Sequence, residues 1–202
     1  MKRIITVSAV AGILILHAAS SPASQVISGK VTDLTKANVA FTGVCVSAEP
    51  AAMALGERGK ILVSKYTFTV EDSIKGDVPS SFAFTHLGGS RSAALSVGQP
   101  YIPGMPFFEA GKRYTVFLSS ETPYGLRGVI NMGVGKFNFI TGADGKTQVV
   151  NDYGNKSLFK GLPSTAKVGK ALSAGGVSAG ADGGPLDYDS FVKMIKELDK
   201  KE

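Results

Sequence analysis

The chain has 202 residues, 44% of them hydrophobic, with 25 Gly, 9 Pro, one Cys and no Trp, and a formal charge of +6. That composition suits one globular domain with many turns and short strands, and argues against a helical bundle. The lone cysteine excludes a fold held by internal disulfides, and no arginine-rich stripe interleaved with aromatics marks a nucleic-acid partner.

The N-terminus reads as a secretory signal over residues 1–23. Lys2 and Arg3 form a basic start, Ile4 to Leu16 is an uncharged apolar run, and small residues allow cleavage after Ser20 or Ala23. The run is shorter than the ~20 residues a membrane-spanning helix needs. The expected location is secreted or periplasmic, with no transmembrane anchor in the mature chain.

Residues 24–162 read as the β domain. VISGKVTD and ANVAFTGVCVSAE are rich in Val, Phe and Thr and are expected as strands. Cys45 alternates with its neighbours there as a small buried hydrophobe would. PAAMALGERG is expected as a loop or short turn. KILVSKYTFTVEDSIKGD is the clearest strand, with Leu62, Ser64, Tyr66, Phe68 and Val70 on one face at period two. SFAFTHL follows, and its parity sets His86 with Phe82 and Phe84 before Gly88-Gly89 ends it.

A long loop is expected from Ser90 to Ala110, where Tyr101, Phe107 and Phe108 can pack down as a cover. GKRYTVFLSS and Tyr124–Ile130 are further strands. GVGKFNFITGADGKTQVVND reads as a hairpin turning at Ala143 to Lys146. Seven or eight strands at this spacing predict an all-β fold, a small antiparallel barrel of the oligomer-binding type. Residues 163–186 are Gly-, Ala- and Ser-rich and are expected to be a flexible linker. Residues 187–202 form an amphipathic helix: Phe191, Met194, Ile195 and Leu198 share a face, and Asp187 or Asp189 caps it. That helix either docks on the barrel or is offered to a partner.

GKILVSKYTFTVEDSIKGD, FTHLGG, MPFFEAGKRYTVFLSS and YGLRGVINMGVGKFNF together resemble a group of exported bacterial proteins of undefined function. The resemblance implies a small barrel of the oligomer-binding type, similar to the netrin-like inhibitor domains of metalloproteinases. Those inhibitors chelate zinc through a mature N-terminal cysteine and carry several disulfides. This chain has neither feature, so that inhibitory mechanism does not transfer.

Catalytic motifs find little material. Gly176-Val-Ser-Ala-Gly180 matches a nucleophile elbow, but it has no strand before it and no histidine after it. Gly145-Lys146-Thr147 lacks the upstream glycine of a phosphate loop, because Ile140 occupies that place. Glu71, Asp72 and Asp77 surround one turn without a calcium-loop pattern and read as solvated acids. Asn155-Lys-Ser157 is a glycosylation sequon, relevant only in a host that modifies such sites. No cofactor or metal site is expected.

His86, at the strand end before Gly88, and Arg91 and Tyr101, on the loop that follows, are the candidate binding residues. Aromatic and arginine side chains are the usual anchors of recognition. The expected function is an exported, non-enzymatic binding module for a protein or small ligand outside the cytoplasm. The alternatives are a hydrolase-type enzyme using His86 as base, and a protease-inhibitor-like or partner-docking protein using the C-terminal helix.

Overall fold

The structure, a computed structural model, describes residues 29–178 and 180–200. The signal segment therefore lies outside the described residues. Seven antiparallel strands form one sheet in the order β3-β2-β1-β4-β5-β6-β7. They are β1 (Val39–Ala54), β2 (Lys60–Lys75), β3 (Ser81–Leu87), β4 (Arg113–Leu118), β5 (Lys136–Thr141), β6 (Thr147–Asn151) and β7 (Leu186–Asp187). Three helices accompany them: α1 (Arg91–Ser96), α2 (Ala166–Ala174) and α3 (Tyr188–Asp199). Among the described residues the sheet does not close on itself.

β1 and β2 make a long hairpin, registered from Ala40↔Lys75 to Ala54↔Lys60. The period-two face of β2 is buried as expected at Leu62, Ser64, Tyr66 and Phe68, while Lys65 and Thr69 are exposed. Gly43 is required where the strands cross closely: a Cβ there would lie 2.4 Å from the Thr69 carbonyl oxygen. β1 also pairs with β4, but only from Val39↔Leu118 to Val44↔Arg113. Beyond Cys45 the outer half of β1 has β2 alone as its strand partner.

Five local expectations are corrected. Of VISGKVTD, expected as a strand, the first three residues lie outside the described residues and the described part forms no strand; Val31–Lys36 is a 3₁₀ turn. Val31 and Leu34 stand three residues apart, so a 3₁₀ turn sends both into the core, where each is fully buried. Residues 50–54, expected as loop, continue β1. The loop from Ser90 to Ala110 carries α1. Tyr124–Ile130 makes no ladder, only single bridges from Leu126 to Thr85 and from Val129 to Leu118. Within residues 163–186, where a linker is expected, α2 forms: its Ala, Lys and Leu residues favour helix, and the Thr165 side chain accepts from the Val168 amide at 3.2 Å.

The two sheet faces carry different cores. One face packs against the helices. α3 is capped by Asp187, whose carboxylate accepts from the Ser190 amide at 2.9 Å. Its Phe191, Met194, Ile195 and Leu198 are buried, with the Phe191 ring 4.5 Å from Phe137 and 6.1 Å from Phe117. α2 joins this layer through Val168, Ala171 and Leu172. The other face is an aromatic core of Phe41, Tyr66, Phe68, Phe84, Phe108 and Tyr114. Phe108 comes from the loop and covers it, with its ring 5.4 Å from Phe68 and 4.9 Å from Tyr66.

Candidate functional site

His86 lies on β3 opposite Ser64 of β2 and is only 3% exposed. Its Nδ1 is 2.8 Å from the Arg127 carbonyl oxygen, so Nδ1 carries the proton and donates it. Nε2 is buried and has no hydrogen-bond partner among the described residues. Burial pushes the imidazole below its ordinary pKa, against the smaller opposing pull of the Arg127 carbonyl. The ring is thus a neutral tie between β3 and residues 126–129, with no carboxylate bonded to it.

The glycine pair that follows is shaped by packing. Gly88 takes φ +84°, and its carbonyl accepts from the Ser64 hydroxyl at 2.8 Å. A Cβ on Gly89 would sit 2.5 Å from that hydroxyl oxygen. The tight turn delivers Ser90, whose side chain caps α1 by accepting from the Ala93 amide at 3.1 Å. Arg91 is exposed, and its guanidinium lies 4.7 Å from the centre of the Tyr101 ring. The fold therefore brings Arg91 and Tyr101 together and leaves His86 apart from them.

Beside α1 the surface opens into a cleft of about 410 Å³. Tyr66, Phe107 and Phe108 form its apolar side, with Ala48 and Pro50 from β1 along one wall. Ser92, Ser96 and Glu109 add polar groups. Burial raises the Tyr66 phenol above its ordinary pKa, so it stays protonated. His86, Arg91 and Tyr101 do not line this cleft. Pro50 carried the sequence signal for its wall: a proline inside a strand-like run marks an edge.

Other chemistry-bearing side chains are engaged. Cys45 is buried, and burial pushes its thiol up to about 11. Lys136 is also buried, with Nζ 3.2 Å from both Asp152 oxygens and 5.3–5.7 Å from the ring centres of Phe107, Phe108 and Tyr114. It pins the loop from beneath by ion pairing and cation–π attraction. Of the three turn acids, Glu71 binds Arg113 at 2.6 Å, and Asp72 lies 3.3 Å from the Tyr188 hydroxyl. These two are partnered rather than simply solvated. Arg113 also lies 4.1 Å over the Phe139 ring. This seam ties α3 to the sheet.

Among the described residues, no three His, Cys, Asp or Glu side chains group in a way that would hold a metal ion. No described helix is long and apolar enough to cross a membrane. Comparison of the chain with protein families, curated proteins and solved structures finds no match.

Proposed function

We propose that this chain is an exported, non-catalytic binding module whose recognition surface is the cleft between α1 and the Phe107–Ala110 turn. The observation that carries this reading is the cleft itself: an aromatic floor with a rim of hydroxyls and one acid, open to solvent. Aromatic side chains held rigid by packing give contact area at low entropic cost. Outside the cleft lining, the Arg91 guanidinium lies over the Tyr101 ring. The residues best suited to nucleophilic or base chemistry, Cys45 and His86, are buried behind it in their neutral forms. The apolar face of α3 is packed against the sheet, which leaves the cleft as the better candidate for a partner.

The oligomer-binding-type barrel stays part of the proposal. The bridges of Leu126 to Thr85 and of Val129 to Leu118 set residues 126–129 between β3 and β4, where a closing strand would stand. Export and a secreted or periplasmic location rest on the basic and apolar segments before Ala23.

The test is capture from the secreted or periplasmic fraction with the immobilised mature chain, beside a Ser96→Trp variant that fills the cleft from exposed residue 96. A specific partner retained by the natural chain and lost by the variant is the expected result. Equal retention by both would move recognition away from the cleft. No retained partner, protein or small ligand, would overturn the proposal.

A further inference from the structure

We infer that the vacant lane beside the outer half of β1 receives an extended segment of another protein. The segment joins the sheet as an added strand and seats a bulky apolar side chain in the cleft. This rests on the reading of the cleft as a recognition surface and names its occupant.

The lane is that of β4. Its last bonds to β1 run from the Cys45 amide to the Lys112 carbonyl at 2.9 Å and from the Gly111 amide to the Cys45 carbonyl at 2.7 Å. Past that point the chain turns away, and Ala48 to Ala54 pair only with β2. The Leu55 amide donates to the Gly59 carbonyl at 2.8 Å, which marks that couple as hydrogen-bonded. Antiparallel alternation then turns the backbone groups of Met53, Ala51 and Glu49 toward β2, and those of Ala48, Pro50, Ala52 and Ala54 outward. Pro50 fits this assignment, since its missing N–H falls on the side away from β2. Among the described residues no backbone hydrogen bond closes on these outward groups.

The free edge spans seven residues, about 20 Å at strand rise, the length of an ordinary strand. Its side chains are mostly Ala, so the backbone is open to approach. A strand laid antiparallel to β1 there continues the line of β4 outward. The cleft opens at its inner end, where Ala48 and Pro50 form the wall. Alternate side chains on that face project over Tyr66, Phe107 and Phe108.

The occupant is a different protein rather than a second copy. A two-fold pairing centred on Ala51 would set Pro50 against Ala52 twice, and each Ala52 carbonyl would face no donor. The copy would also bring only Ala and Pro to a cleft of about 410 Å³. A foreign segment with an aromatic or large aliphatic residue at the cleft position fills it.

The experiment pans a phage-displayed library of random linear nine-residue peptides against the exported chain. Affinities of a synthetic winner are then measured for the natural chain and for Ala52→Pro. Enriched peptides are expected to carry a bulky apolar residue within an alternating pattern. Ala52→Pro removes one outward donor and no internal bond, so it should weaken binding about five-fold or more. Should that variant fail to fold, N-methylation along the peptide gives the same readout on the natural chain, with affinity lost at every second position. Binding insensitive to both changes overturns the added strand, as does a failure to enrich any peptide. Concentration-dependent dimerisation abolished by Ala52→Pro would assign the edge to a second copy and equally overturn it. Partner capture that is lost in Ser96→Trp but unchanged in Ala52→Pro would leave the cleft standing and remove the strand alone.

Discussion

His86 shows how one buried polar atom sets a measurable property. Its neutral ring is held by the Arg127 carbonyl and surrounded by protein, so the folded chain resists protonating it. The unfolded chain takes up that proton near the ordinary value of 6.5. A folded pKa below the unfolded one means the contribution is fully present above pH 6.5 and is lost as pH falls toward the folded value. Within that window stability should fall by up to about 1.4 kcal/mol per pH unit for the single proton. Among the described residues His86 is the only histidine. Chemical denaturation from pH 7.5 to 5 should show this loss in the natural chain and a flatter profile in His86→Phe. Identical profiles would mean the ring is not held neutral. A turnover that vanished in His86→Phe with the fold intact would instead make the residue catalytic.

At the scale of elements, α3 belongs to the fold. Its five buried apolar residues cover Phe117 and Phe137, and α2 leans on it through Val168 and Leu172. Burial of a large apolar side chain is worth about 1.5–3 kcal/mol. The helix thus carries an amount comparable with the whole stability of a domain, about 5–15 kcal/mol. Truncation after Gly183 should give a chain that lacks a cooperative thermal transition and accumulates as aggregate. A truncated chain with an unchanged transition that had lost only a partner would return α3 to the role of docking element. The β1–β2 hairpin has the opposite character: its inner half is locked between cores, while its outer half stands on one ladder alone.

At the scale of the molecule, a single sheet separates an aromatic core from a helix-covered one, and Cys45 reports on the integrity of the first. Its thiol is fully buried and pushed up to about 11 from 9.0 by desolvation. The raised value means the protonated thiol adds stability that is intact below pH 9 and lost as pH rises toward 11. Thiol labelling at pH 8 should be slow in native buffer and should accelerate through the denaturant-induced transition, because the thiolate forms only on opening. Labelling at the rate of a free cysteine in native buffer would place Cys45 outside the core.

Much of this was legible locally. Parity along Ser81–Leu87 put His86 with Phe84, and both are buried. Period two in β2, the ADGK turn between β5 and β6 and the stripe of α3 each report a side chain's need for an apolar surface within a few residues of chain. Val31–Lys36 and α2 were not legible. β-branched residues in the first and Gly, Ala and Ser in the second satisfy local rules for strand and linker, and distant packing overrode both. The sequence by itself determined which faces of its strands and of its last helix are apolar. Only the tertiary structure decided that β4 leaves β1 at Cys45, that Phe107 and Phe108 return beside it, and that the cleft opens at a free strand edge. Periodicity records that a residue needs a neighbour, while the identity of that neighbour depends on pairings far apart in the chain.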